Sequence, residues 1–144
     1  MSVSFRSLPF NMYLTLNSQD SITNFSTTIN PFDFTIELGT NISLNGDYEC
    51  ALVDVSYKLV YGERRSSLLI FCDLVDSGYI RGKFLPLLRI VDRRENFSLP
   101  YYKKLTRSQF NKIRIYILDL NLDSPSVQID SFTCTLHLRK VAEQ

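Results

Sequence analysis

Apolar and polar residues alternate along several segments of this 144-residue chain, and this pattern constrains the fold more than any other feature. Four apolar residues alternate with three polar ones over 32–38, and the same period of two recurs over 113–117 and 132–139. Because successive side chains of a strand point to opposite faces of a sheet, the pattern predicts strands with one buried face. A shift of one residue would expose each apolar set, so the strand register should be well specified.

The residue types favour the same fold class. Ala occurs only twice, whereas Val, Ile, Thr, Phe and Tyr make up about a third of the chain. Such side chains fit a pleated, half-buried surface better than a helix. We predict an all-β fold, a single eight-stranded antiparallel jelly roll (a β-sandwich) over residues 10–144. Residues 1–9 have no sustained period, and we predict an N-terminal arm that is mobile or ordered by a partner.

Other runs are apolar on both faces, over 48–57, 68–72 and 84–91. They predict central strands that are covered on both sides by protein or by a neighbouring chain. A two-sheet domain cannot point both faces of all three runs inward, so we expect part of this surface to meet a neighbour. Pro86 and Pro100 interrupt strand-like runs, which predicts edge strands or strands that start just after the proline.

Charge and targeting signals narrow the possible roles. The chain carries 16 basic and 15 acidic side chains. It therefore lacks the excess of basic residues that is typical of a nucleic-acid-binding protein. No apolar run reaches the roughly 18 residues of a membrane span, so we expect no membrane insertion. The opening residues have no apolar signal segment, and we expect no secretion. Cys50, Cys72 and Cys134 each lie in an apolar run, which predicts buried, reduced thiols.

The sequence contains no recognisable catalytic, cofactor or metal motif. His137 is the single histidine, and we expect it to be exposed on the polar face of the last strand. The carboxylate pairs Asp73 and Asp76, and Asp119 and Asp123, are typical of caps at turns and strand ends. We therefore predict no enzyme activity, no catalytic residue, no cofactor and no metal.

Arginines supply the candidate contact residues. Arg64 and Arg65, and Arg93 and Arg94, form basic doublets in polar loops, and they are either solvated hairpin tips or contacts to a neighbouring subunit. Arg89 lies within a nearly continuous apolar run. A buried guanidinium must be paired, so we predict a buried structural charge that bridges to a carboxylate, either in the same chain or across an interface.

The middle of the chain resembles a known family. Residues 72–75 (CDLV), 78–80 (GYI) and 85–91 (LPLLRIV) together resemble the signature "CDLVEPQxVGxxxxPLLRxV" of penton (minor capsid) proteins of Polinton/Maverick elements and adintovirus-like viruses. In the same order along the chain, 12–18 resembles the family's opening strand and 46–57 resembles "GxWEVALxEISY". The resemblance continues to about residue 140, where the ending is similar to "VTLHFRR".

The resemblance implies a fold, a role and a location. It implies a jelly roll that assembles as a homopentamer at the fivefold vertices of an icosahedral capsid, beside a double-jelly-roll major capsid protein. It implies a virion protein that is assembled inside the host cell and has neither enzyme activity nor a cofactor. A shell component that does not hold the genome does not need to bind a specific nucleic acid, and the balanced charge of the chain agrees with this.

Two other roles compete with this one. A β-sandwich can be a ligand-binding or carbohydrate-binding module, since fold alone does not select function. Such a site needs an aromatic platform beside polar groups, and Tyr101 with Tyr102 is the candidate platform. An enzyme on a cupin-like sandwich would need a metal triad, and a single histidine argues against it.

Overall fold

The alternating segments form the long strands of a computed structural model of the chain. The structure describes residues 11–21, 30–61, 67–92 and 99–141 and the backbone of Phe5–Ser7. In this part of the chain there are one short 3-10 helix, Ser18–Asp20, and eleven strands. In order, the strands are β1 (Phe5–Ser7), β2 (Asn11–Asn17), β3 (Asp33–Ser43), β4 (Tyr48–Tyr61), β5 (Leu68–Cys72), β6 (Gly78–Ile80), β7 (Lys83–Leu85), β8 (Leu87–Val91), β9 (Lys103–Lys104), β10 (Gln109–Leu118) and β11 (Gln128–Lys140).

Two sheets form the body of the molecule. Sheet A has the strand order β1-β3-β10-β5-β8, sheet B has the order β2-β11-β4-β9, and β6 and β7 form a separate hairpin. The paired strands are antiparallel except for β1, which runs parallel to β3. The all-β prediction is confirmed. The predicted eight strands are too few, because β1, β6 and β7 are only three residues long and show no period in the sequence.

Part of the predicted arm belongs to sheet A. The backbone of Phe5–Ser7 pairs with residues 41–43 of β3. Residues 1–4 and 8–10 lie outside the described residues. A mobile or partner-ordered arm over 1–9 therefore stays a prediction.

The core lies between the facing sides of sheets A and B. Phe132 is fully buried there, with its ring 5.9 Å from that of Tyr57 and 6.3 Å from that of Phe34. The three cysteines are also buried and free, as predicted; they are Cys50, Cys72 and Cys134. Burial raises the pKa of each thiol, in the case of Cys72 to about 12.

Strand β5 is central in sheet A, as its two-sided apolar sequence predicts. Leu69 and Phe71 do not belong to the core cluster, yet both are 0% exposed. The ring of Phe71 stacks on that of Tyr116 in the neighbouring β10, with centroids 4.7 Å apart. Of the two predicted kinds of cover, by the protein itself or by a neighbouring chain, the first is confirmed for β5, because the chain itself covers both faces.

Proline and glycine set two of the boundaries. Strand β8 begins at Leu87, directly after Pro86, and forms an edge of sheet A, as predicted. Gly46 precedes β4 with a φ of +102°, a conformation that glycine adopts without strain.

Candidate functional site

The two sheets leave a groove between their edge strands β8 and β9. It has a volume of about 630 Å³. One wall is formed by β8 and Asp92, and the other by the segment 100–103 that leads into β9. We call it the edge groove. Its position follows from the strand orders, because β8 ends sheet A and β9 ends sheet B on this side.

Two cationic residues occupy core-facing positions along the edge groove. Arg89 pairs in register with Ile70, and Lys103 pairs with Cys50. Both partners belong to the core cluster, so Arg89 and Lys103 lie on the inner faces of their strands. Charged side chains therefore occupy positions where apolar ones would seal the interior, and the groove is lined by both polar and apolar groups.

Arg89 is buried, and its guanidinium contacts the ring of Tyr101. It is 6% exposed, and its Nη1 donates a hydrogen bond to the carbonyl oxygen of Leu99 at 3.1 Å. Its guanidinium carbon lies 4.8 Å from the ring centroid of Tyr101, which is 60% exposed. The predicted bridge from Arg89 to a carboxylate stays a prediction. The contacts described are to a carbonyl and to a ring.

The other charges of the edge groove differ in their pairing. The carboxylate of Asp92 accepts a hydrogen bond from the hydroxyl of Ser67. Lys103 is half-buried, and in the part of the chain that the structure describes it makes no ion pair. The groove thus combines two cations with one carboxylate, and Lys103 is the cation available to a ligand.

Tyr101 and Tyr102, the predicted platform, both line the edge groove, but their side chains have different partners. The Tyr101 ring lies beside the guanidinium of Arg89, whereas the Tyr102 hydroxyl lies 2.8 Å from Nδ1 of His137. Lys103 was missed altogether. Its signal was the alternation of Tyr101, Lys103 and the buried Leu105, which places a lysine on the inward parity of a strand.

His137 belongs to an aromatic cluster on the outer face of sheet B. Its ring stacks on Tyr13 at a centroid distance of 4.5 Å and meets the ring of Tyr102 edge-on. The guanidinium of Arg139 lies 3.4 Å from the centroid of Tyr102 and donates to Glu49 at 2.6 Å. The expected exposed histidine is therefore half-buried, because two rings cover it.

The surroundings of His137 favour the neutral form of its ring. Burial lowers the pKa of its imidazole, and the positive charge of Arg139 lowers it further. In the neutral ring, Nδ1 can accept a hydrogen bond from the hydroxyl of Tyr102. The described contacts of this cluster are ring stacking, a hydrogen bond between Tyr102 and His137, and the ion pair of Arg139 with Glu49.

The β6–β7 hairpin presents a pair of exposed aromatic side chains. Tyr79 is 69% exposed and Phe84 is 73% exposed, and their rings meet edge-on at 5.4 Å. Arg81 and Gly82 make the turn between them, with φ values of 46° and 83°. This turn chemistry fits a two-residue hairpin loop. We call Tyr79 and Phe84 the hairpin pair.

The remaining predicted site residues have structural roles or lie outside the described residues. Asp119 accepts hydrogen bonds from the backbone N–H groups of Asn121 and Asp123, and Asp73 accepts one from that of Arg114, as expected for caps. Within the described ranges, no cluster of three His, Cys, Asp or Glu side chains is placed to hold a metal ion. The candidate contact residues Arg64, Arg65, Arg93 and Arg94 all lie outside the described residues.

No model of a known protein family matches the chain, and no curated protein matches it significantly in sequence. Among the residues that the structure describes, no helix has the length and apolar character needed to cross a membrane.

Proposed function

We propose that the protein is a structural capsid subunit: a jelly-roll penton protein that forms the fivefold vertices of an icosahedral capsid beside a double-jelly-roll major capsid protein. The partners in this proposal are further copies of the chain and the major capsid protein. The location is the virion, after assembly inside the host cell.

The order of strand pairing carries the proposal. With β1 and the β6–β7 hairpin set aside, eight strands remain, and they pair as first with last, second with seventh, third with sixth, and fourth with fifth. These pairs are β2–β11, β3–β10, β4–β9 and β5–β8. These pairs alternate between sheet B and sheet A. This alternation supports the jelly-roll assignment, because a jelly roll pairs its eight strands in such an order. Viral capsid proteins and lectins both use this fold, so the pairing alone does not choose between them.

The resemblance over residues 72–91 favours the capsid role. This segment includes the end of β5, the β6–β7 hairpin and β8. Leu74 and Leu88 supply buried core side chains, at 0% and 1% exposed, whereas Tyr79 and Phe84 point outward. The segment thus combines residues that the fold needs with an exposed apolar pair that the fold does not need. An exposed apolar pair is a natural contact between subunits.

Assembly into a ring requires two different surfaces of the same chain to meet. A heterologous contact closes only if its rotation is right, and a stable one buries about 1,200–2,000 Å² in total. We assign the hairpin pair to one side of this contact. The loops that carry Arg64, Arg65, Arg93 and Arg94 remain our candidates for further contacts. The three free, buried cysteines fit assembly in a reducing compartment.

The experiment is native mass spectrometry combined with light scattering over a wide range of protein concentration. We expect a species with the mass of five chains at high concentration. The double substitution Tyr79→Ser and Phe84→Ser should abolish it, because both side chains are exposed and their loss leaves the core intact.

Leu120→Ser is the matched control, since Leu120 is also exposed, at 46%, but lies outside the hairpin. It should leave the pentamer unchanged. A dimer or trimer at every concentration contradicts the vertex proposal, as does a monomer that persists at the highest concentration both alone and with the major capsid protein.

A further inference from the structure

The edge groove has the composition of a ligand site rather than of a gap in packing. Its volume of about 630 Å³ lies within the roughly 300–1,000 Å³ of small-molecule sites. Apolar residues such as Leu87 and Pro100 line it together with Tyr101 and three charged side chains. Ligand sites typically have this combination of an apolar or aromatic wall and a few placed polar groups.

Tyr101 provides an aromatic face that is fixed before any ligand arrives. One side of its ring faces the guanidinium of Arg89, which is itself anchored to the carbonyl of Leu99. The side chain is nevertheless 60% exposed, so a face of the ring remains open to solvent. The C–H bonds of a sugar ring carry partial positive charge and pack on the negative face of such a ring. A platform that is already held in place loses little conformational entropy on binding.

The charges beside this platform favour an anionic ligand. Asp92 is engaged by the hydroxyl of Ser67, and Lys103 makes no ion pair within the described residues. Lys103 points from the inner face of β9 toward the same groove that Tyr101 lines. A carboxylate bound there would form a charge-assisted hydrogen bond with its ammonium group.

We propose that the edge groove binds an acidic saccharide, with the sugar ring packed on Tyr101 and its carboxylate paired with Lys103. The chemical class is a sugar acid, either a uronic acid or a sialic acid. Arg89 is a positioning residue: its guanidinium packs against one face of the Tyr101 ring, and the sugar packs against the other face. This binding function does not depend on the vertex proposal, because all of the groove residues named belong to one chain.

The test uses the full chain and three probes, which are sialyllactose, digalacturonate and the neutral sugar lactose. Each is titrated into the millimolar range and followed by two-dimensional NMR, which reports binding and its location together. We expect saturable chemical-shift changes with at least one acidic probe. The affinity for lactose should be at least about tenfold weaker than for that probe, since lactose lacks the charge-assisted contact.

Matched variants locate the binding. Tyr101→Ala should weaken the acidic probe by about tenfold or more, and Lys103→Gln should weaken it while leaving lactose unchanged. Leu120→Ala is the control, because Leu120 is exposed, at 46%, and lies outside both the groove and the hairpin pair. It should leave the affinity for every probe unchanged. Circular dichroism and thermal melting identify any variant that fails to fold, and Tyr101→Phe then serves as the milder substitution, which should retain binding.

Several outcomes would overturn the proposal: no saturable binding of either acidic probe, binding that survives Tyr101→Ala in a folded protein, or equal affinity for lactose. Competition by acetate at the same concentration as the saccharide would show a simple anion site, and it would overturn the saccharide assignment. None of these results affects the oligomer measurement, so failure here is distinguishable from failure of the vertex proposal.

Discussion

Ser18 and Arg89 are the two buried polar side chains of the described residues, and they lie at opposite sides of the sandwich. Ser18 follows β2, is 0% exposed, and its hydroxyl accepts a hydrogen bond from the backbone N–H of Phe132 at 3.0 Å. Arg89 lies on β8 beside the edge groove and contacts a carbonyl and a ring. A neutral hydroxyl with one partner can be sealed from water at small cost, whereas a guanidinium has five donors and a charge. One side of the sandwich is therefore closed, and the other is left as a groove.

The largest expected effect concerns the closed interior. Phe132→Ala removes a fully buried ring that packs near Phe34 and Tyr57. We expect the free energy of unfolding to fall by about 3–5 kcal/mol, because the substitution removes apolar contacts and leaves a cavity. Urea denaturation measures this change. A loss below about 1 kcal/mol would mean that the closed side is not tightly packed.

The second prediction tests the sealed hydroxyl. Ser18→Ala leaves the buried N–H of Phe132 without its acceptor, and we expect a loss of about 1–3 kcal/mol in urea denaturation. Thr106→Ala is the control, because its hydroxyl donates to the carbonyl oxygen of Leu74 at 3.3 Å and that oxygen also accepts from the backbone N–H of Thr106 at 2.9 Å. This substitution should cost less. Equal losses for the two variants would contradict the special role of Ser18.

The third prediction tests the open side. Arg89→Met retains a long apolar side chain but removes the donor to Leu99, whose exposure of 72% lets water replace it. We expect a loss of about 1 kcal/mol, smaller than that of Ser18→Ala although a charge has been removed. A loss larger than that of Ser18→Ala would show that Arg89 is sealed as tightly as Ser18.

The smallest effect concerns pH at the outer face of sheet B. Because the folded state lowers the pKa of His137, the unfolded chain binds its proton more readily. The contribution of the neutral ring is fully present above the ordinary histidine pKa of about 6.5 and is lost as the pH falls from that value through the lower pKa of the folded state. The melting temperature of the wild type should therefore fall toward that of His137→Gln between about pH 8 and about pH 5. A constant difference over this range would contradict the lowered pKa.

The long strands could be predicted from sequence because their period is local. Segments 32–38, 113–117 and 132–139 lie within β3, β10 and β11 or extend one residue beyond, and Pro86 marked the start of β8. The three-residue strands β6 and β7 show no period, and they emerge only from their pairing with each other.

The candidate site was harder to predict because it depends on strand order. Arg89 was recognised as unusual and Tyr101 as part of a candidate platform, but nothing in their spacing brings the two together. They meet because β8 and β9 end different sheets on the same side. The cluster around His137 has the same origin, since Tyr13 and Tyr102 come from segments far apart in the chain. Alternation assigns a face to each residue, and the sheet topology assigns its neighbours.

The position of β11 between β2 and β4 affects how the chain is made. The hydroxyls of Thr15 in β2 and Thr135 in β11 are 3.1 Å apart, although the residues are separated by 120 positions. At about 5–20 residues per second, a ribosome delivers β11 on the order of ten seconds after β2. During this interval β2 and β4 lack the strand that joins them, and their unpaired edges are open to strands of other nascent chains. Translation speed and chaperone binding before β11 emerges should therefore control the yield of folded protein.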